Sequence, residues 1–105
     1  MNKQTTENAI IAYSEYINNY LKGEEELDVS YIQSEKPTGA IEINIFLNNL
    51  ENISNSRKQT LNSVLVAWDY SYNVMDRLKN PLECEDIINI HDKLTDIFIE
   101  LLEEK

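Results

Sequence analysis

Residues 29–50 read VSYIQSEKPTGAIEINIFLNNL, and the fold class turns on how this stretch is taken. Ile41, Ile43, Ile45 and Leu47 alternate with Glu42, Asn44, Phe46 and Asn48. An alternation of period two is the pattern of a strand with one buried face. Upstream, Val29-Ser30-Tyr31-Ile32-Gln33 is short and rich in residues that favour strands. Between the runs lies a polar loop, residues 34–39, in which Pro37 and Gly39 act as breakers. The spacing predicts a β-hairpin. The competing reading is a short helix over 41–50, because a brief Ile-rich run fits both periods.

The flanking segments are helical in pattern. From residue 5 to 22, Ala9, Ile10, Tyr13, Ile17 and Leu21 recur on one face. Thr5 or Thr6 offers an N-cap, and Gly23 offers a stop because it adopts positive φ without strain. Residues 57–79 form the longest periodic segment. Leu61, Val64, Leu65, Trp68, Tyr72, Met75 and Leu78 share one face, and Val66, Tyr70 and Val74 line another. Ser54 or Ser56 can cap it. A helix apolar on two sides is normally central to its fold. Asn80-Pro81-Leu82-Glu83 then reads as a helix start, with Asn80 as N-cap, Pro81 at N1 and an acid in the first turn. Ile87, Ile90, Leu94, Ile97, Phe98 and Leu101 form the expected apolar face of that last helix. The resulting expectation is one α+β domain over residues 1–105, ordered helix, β-hairpin, long helix, helix. An all-α four-helix bundle is the alternative.

Composition narrows the function. The chain of 105 residues is 42% hydrophobic, enough for one packed core. Nineteen acidic residues face nine basic ones, for a formal net charge of −10. Direct nucleic-acid binding rests on Lys and Arg against phosphate, and docking on anionic membranes needs basic residues, so neither is expected. The opening MNKQTTEN lacks an apolar stretch behind a basic start, and no apolar run approaches a membrane span. A single cysteine, Cys84, forms no internal disulfide, which points to the cytoplasm. Thirteen Asn and thirteen Ile against two Gly and two Pro suggest AT-rich coding DNA, as in a low-GC bacterium or its phages and plasmids.

No motif carries an enzyme. The sole histidine, His91, has no sequence neighbour placed to orient it as a base. Cys84 and His91 are two helical turns apart, too far for a thiolate–imidazole pair, and one Cys with one His cannot build a structural zinc site. The run GEEELD at 23–28 lacks the alternation of a calcium loop. No phosphate-cradling glycine loop or nucleophile elbow is present. No catalytic residue, metal or cofactor is expected.

The acids are unevenly placed. Residues 1–28 balance to −4, residues 29–82 to zero and residues 83–105 to −6. Asp92, Asp96 and Glu100 form like-charge pairs at i,i+4, each mildly unfavourable. Glu24, Glu25 and Glu26 crowd the negative end of the first helix. Such repeated local cost suits a docking surface for a basic protein, made of Glu24, Glu25, Glu26, Asp28, Asp92, Asp96, Glu100 and Glu103. A solvated face that keeps the domain soluble is the plain alternative. Tyr16, Tyr20, Val66, Tyr70 and Val74 lie off the main apolar faces and are candidates for an apolar interface.

The expected function is a non-enzymatic inhibitor or regulator that binds a protein with a basic surface. A phage or mobile-element protein acting on a host defence or nucleic-acid-processing protein, of anti-restriction or anti-CRISPR type, is its concrete form. An immunity protein or antitoxin against a basic toxin is a second reading, and a self-associating subunit, such as a homodimer, a third.

Overall fold

The chain is described by a computed structural model covering residues 3–77 and 81–103, with the side chains of 3–5, 72, 74–76 and 81–84 outside that description. Five α-helices make the fold: α1 Lys3–Leu21, α2 Val29–Ser34, α3 Gly39–Asn48, α4 Asn55–Arg77 and α5 Pro81–Glu103. No strand occurs among the described residues. The hairpin is therefore overturned and the class is all-helical. The bundle differs from the four-helix alternative by the short α2.

The reason lies in residues 28–50. Asp28 takes an extended conformation and its carboxylate accepts from the Tyr31 backbone N–H at 3.2 Å, so it N-caps α2. That cap starts a helix through residues whose own preference is for strands. In α3 the buried side chains are Ile43, Phe46 and Leu47, with Leu50 just beyond. Their spacing is i, i+3, i+4, i+7, which is one face of a helix. The alternation would have buried Ile41 and exposed Phe46. In fact Ile41 is 72% exposed and Phe46 is fully buried. A helix puts the large aromatic ring inside, and a strand could not do so without turning Ile43 and Leu47 outward.

An aromatic chain runs through all five helices. Tyr31 of α2 lies 5.6 Å from Tyr13 of α1, which lies 5.4 Å from Phe46 of α3. Phe46 lies 6.0 Å from Phe98 of α5, and Phe98 lies 5.3 Å from Trp68 of α4. Tilted and edge-on rings at such spacings stabilise beyond their buried area. Ile10, Ile17, Leu61, Leu65 and Leu102 fill the space around them. Buried polar groups are paired. Tyr13 donates to the Ile32 carbonyl at 2.9 Å, while Asn18 donates to the Asn49 carbonyl at 3.0 Å and accepts from the Glu51 N–H at 2.9 Å. Asn18 thereby fastens α1 to the turn between α3 and α4.

The helix ends follow local chemistry. Gly23, at φ +82°, ends α1: its N–H reaches the Tyr20 carbonyl and the Glu24 N–H reaches the Asn19 carbonyl. This paired pattern is the Schellman motif. Ser54 caps α4, accepting from the Arg57 N–H at 3.2 Å, so α4 begins two residues before the predicted start. α5 starts at Pro81 as expected; its predicted cap, Asn80, lies outside the described residues.

The last helix differs from its expected orientation. Its buried stripe is Thr95, Phe98 and Leu102, with His91 half-buried, rather than the stripe through Ile90, Leu94, Ile97 and Leu101. Ile90 and Ile97 are 47% and 43% exposed. At 100° per residue the helix is rotated by about 80° from the expected position.

Candidate functional site: a joined acidic face

The helices on either side of the acidic connector are each tied to an acid-bearing position of α5 by a side-chain contact. Tyr20, near the end of α1, donates to the Glu103 carboxylate, and this bond pushes the phenol up to about 12. Gln33 of α2 donates to Asp92 at 3.3 Å and to Thr95 at 2.9 Å. Residues 92 and 103 are about 16 Å apart along α5. The connector carrying Glu24, Glu25, Glu26 and Asp28 joins α1 to α2, so it is tethered to α5 on both sides. All four of these residues are exposed, as are Asp92, Asp96, Glu100 and Glu103.

The connector is also held from within. Tyr16 donates to the Glu26 carbonyl at 2.6 Å and accepts from the Asp28 N–H at 2.8 Å. Its ring packs edge-on against Tyr31 at 4.9 Å. With the Gly23 motif at one end and the Asp28 cap at the other, three carboxylates are presented on an anchored loop. Asp28 itself is engaged as a cap, a structural duty the charge pattern did not reveal.

The rotation of α5 changes the place of its acids. With the expected stripe turned to the core, helical geometry would set them on the opposite side of α5. Instead, Asp92 and Glu103 border the buried stripe on the side of α1 and α2, with Asp96 and Glu100 further out. The apolar candidates separate likewise. Tyr16 and Tyr20 are engaged on the acidic side, whereas Val66 and Tyr70, 52% and 70% exposed, lie on the solvent face of α4. Val74 lies outside the described side chains.

A second polar cluster, around Trp68, was missed by the sequence reading apart from the border position of His91. The Trp68 indole N–H can only donate, and it lies 3.2 Å from His91 Nε2. His91 Nε2 therefore accepts, and the ring proton sits on Nδ1. Ser71 Oγ donates to the Trp68 carbonyl at 2.7 Å, which leaves it to accept from His91 Nδ1 at 3.3 Å. The circuit Trp68, His91, Ser71, Trp68 is closed. Here the imidazole donates to the serine rather than removing its proton, the reverse of a nucleophile pair. Burial, and then the Lys36 ammonium, hold His91 below its ordinary value, with Asp92 opposing. Lys36 sits 5.0 Å over the Trp68 ring and donates to the Gln33 carbonyl at 2.9 Å. Burial lowers Lys36 too, with Asp69 opposing.

An open groove of about 530 Å³ lies between Leu21, Lys22, Ile53, Arg57 and Leu102, with the exposed Lys22–Glu51 ion pair at 3.1 Å on its rim. Among the described residues, no three His, Cys, Asp or Glu side chains gather closely enough to hold a metal ion, and no helix is long and apolar enough to cross a membrane. Comparison with known proteins finds no matching family model, no similar curated protein and no similar solved structure.

Proposed function

We propose that this protein is a non-enzymatic binding protein whose acidic face docks on a basic protein surface and so inhibits or regulates it. One observation carries the reading: the helices that flank the acidic connector are tied to acids of α5 through Tyr20–Glu103 and Gln33–Asp92, so exposed carboxylates from both segments are carried on one fixed framework. A pre-ordered face of one sign steers a cationic partner and loses little entropy on binding.

The best-fitting target is a protein with a groove built for nucleic acid, such as a defence or nucleic-acid-processing enzyme in a bacterial cytoplasm. A phage- or mobile-element-encoded inhibitor of anti-restriction or anti-CRISPR type is the concrete form. The same face fits a basic toxin, and a toxin gene alongside would favour the immunity form.

Affinity capture from host lysate at low and high salt tests this reading, with the double variant Glu25→Lys, Asp96→Lys as control. A basic protein retained at low salt, released at high salt and lost with the variant supports it. A partner held equally by the variant, or indifferent to salt, rejects the acidic face as the contact.

A further inference from the structure

α5 leaves one edge of its most aliphatic stripe open, at Ile90 and Ile97, while Leu94 and Leu101 pack partly against the core. Ile87, Ile90, Leu94, Ile97 and Leu101 are spaced 3, 4, 3, 4, the a/d repeat of a coiled-coil seam. The helix turns toward the core a stripe that contains His91 and Thr95 instead. Ile90 and Ile97 are nearly half exposed, whereas Leu94 and Leu101 are partly buried with one side against the core. Exposed apolar groups beside buried polar ones are the informative departure from ordinary packing.

The geometry points to a second copy of this chain as the occupant of the seam, in an antiparallel two-fold pair of α5 helices. Charge complementarity selects both occupant and direction. Lys93 and Glu100 lie one heptad apart on the open edge of the seam. A two-fold axis near residue 96 brings Lys93 of each copy against Glu100 of the other, twice. The same axis sets Ile90 against the second copy's Leu101, and Leu94 against its Ile97. A parallel pair would instead face Lys93 toward the edge that holds His91 and Phe98, which is turned into the core. Asp92, Asp96 and Glu103 point away from the seam and stay on the acidic face, while Glu100 is shared with the seam's edge.

Sedimentation equilibrium on the purified full chain, up to about 0.5 mM, reads the association directly. A reversible dimer is expected, and a monomer throughout that range overturns the proposal. Ile97→Lys is expected to abolish the dimer while far-UV circular dichroism keeps its helical signal. Should that variant fail to fold, Lys93→Glu serves. It reverses a single exposed charge and is expected to weaken the dimer by about tenfold. The swap Lys93→Glu, Glu100→Lys is expected to restore it. Loss of association in the single variant without recovery in the swap overturns the antiparallel arrangement. Ile97→Lys alters no residue of the acidic face, so with that variant loss of the dimer and loss of basic-partner capture remain separate results; the swap, which changes Glu100, is read by sedimentation alone.

Discussion

His91 occupies a place on α5 where an aliphatic residue is the ordinary choice, and its neighbours explain how it is tolerated. It accepts from Trp68 and donates to Ser71, so both ring nitrogens are paired while the ring is neutral. A second ring proton would turn Nε2 into a donor facing the Trp68 N–H, under the Lys36 charge. The unfolded chain takes up that proton near 6.5, and the folded chain only at lower pH. Between the two values the unfolded state binds more protons, so the contribution of His91 is fully present above about pH 6.5 and falls as pH drops through it. Denaturant midpoints followed by fluorescence of Trp68, the one tryptophan, are expected to fall across that window. The slope should vanish in His91→Gln, and an unchanged slope would remove His91 as its cause. Asn18→Ala is expected to cost about 1 kcal/mol in the same assay, because it removes the side chain that pairs the Asn49 carbonyl and the Glu51 N–H.

At the scale of elements, α3 and α5 show how a correct hydrophobic inventory can be assigned to the wrong face. Ile41, Ile43, Ile45 and Leu47 fit a strand, while Ile43, Phe46, Leu47 and Leu50 fit a helix in the same ten residues. Phe46 was the discriminating residue, since only the helix buries it with Ile43 and Leu47. Phe46→Ala is expected to cost about 3–5 kcal/mol in equilibrium unfolding, as for other large core truncations. Ile41→Ser, on the exposed side, should stay within about 0.5 kcal/mol. The reverse ranking would restore the strand. In α5 the aliphatic heptad was legible and its burial was not. The aromatic packing of Phe98 on Trp68 and Phe46, and the bonds of His91 and Thr95, settle the rotation. Gly23 was read correctly as a helix stop from its residue type alone, because Gly satisfies the left-handed requirement locally.

Across the whole molecule, the acidic face depends on chain segments meeting that are distant in sequence. Segment charge marked Glu24, Glu25, Glu26, Asp28, Asp92, Asp96, Glu100 and Glu103, but the ties from α1 and α2 to α5 run through Tyr20 and Gln33. Removing the tether should loosen the face without erasing its charge. Tyr20→Phe is therefore expected to leave net charge and helicity unchanged and to lower the affinity for a captured basic partner by about two- to fivefold, mostly through a faster off-rate. Surface plasmon resonance over a salt series separates this from charge reversal, which should chiefly slow association. Equal effects of the two variants on the on-rate would mean that the tether does no positioning.

By itself the sequence determined the single-core length, the acidic excess and its placement, the three long helices, and the stops and starts at Gly23 and Pro81. Each of these depends on composition, on periodicity over many residues, or on chemistry within one turn of chain. Tertiary structure decided that the segments Val29–Ser34 and Gly39–Asn48 are helical, that α5 turns His91 and Thr95 toward the core and leaves Ile90 and Ile97 exposed, and that α1 and α2 are tied to acids of α5. Short segments and rotations about a helix axis are nearly degenerate locally, and only contacts between distant residues separate the choices.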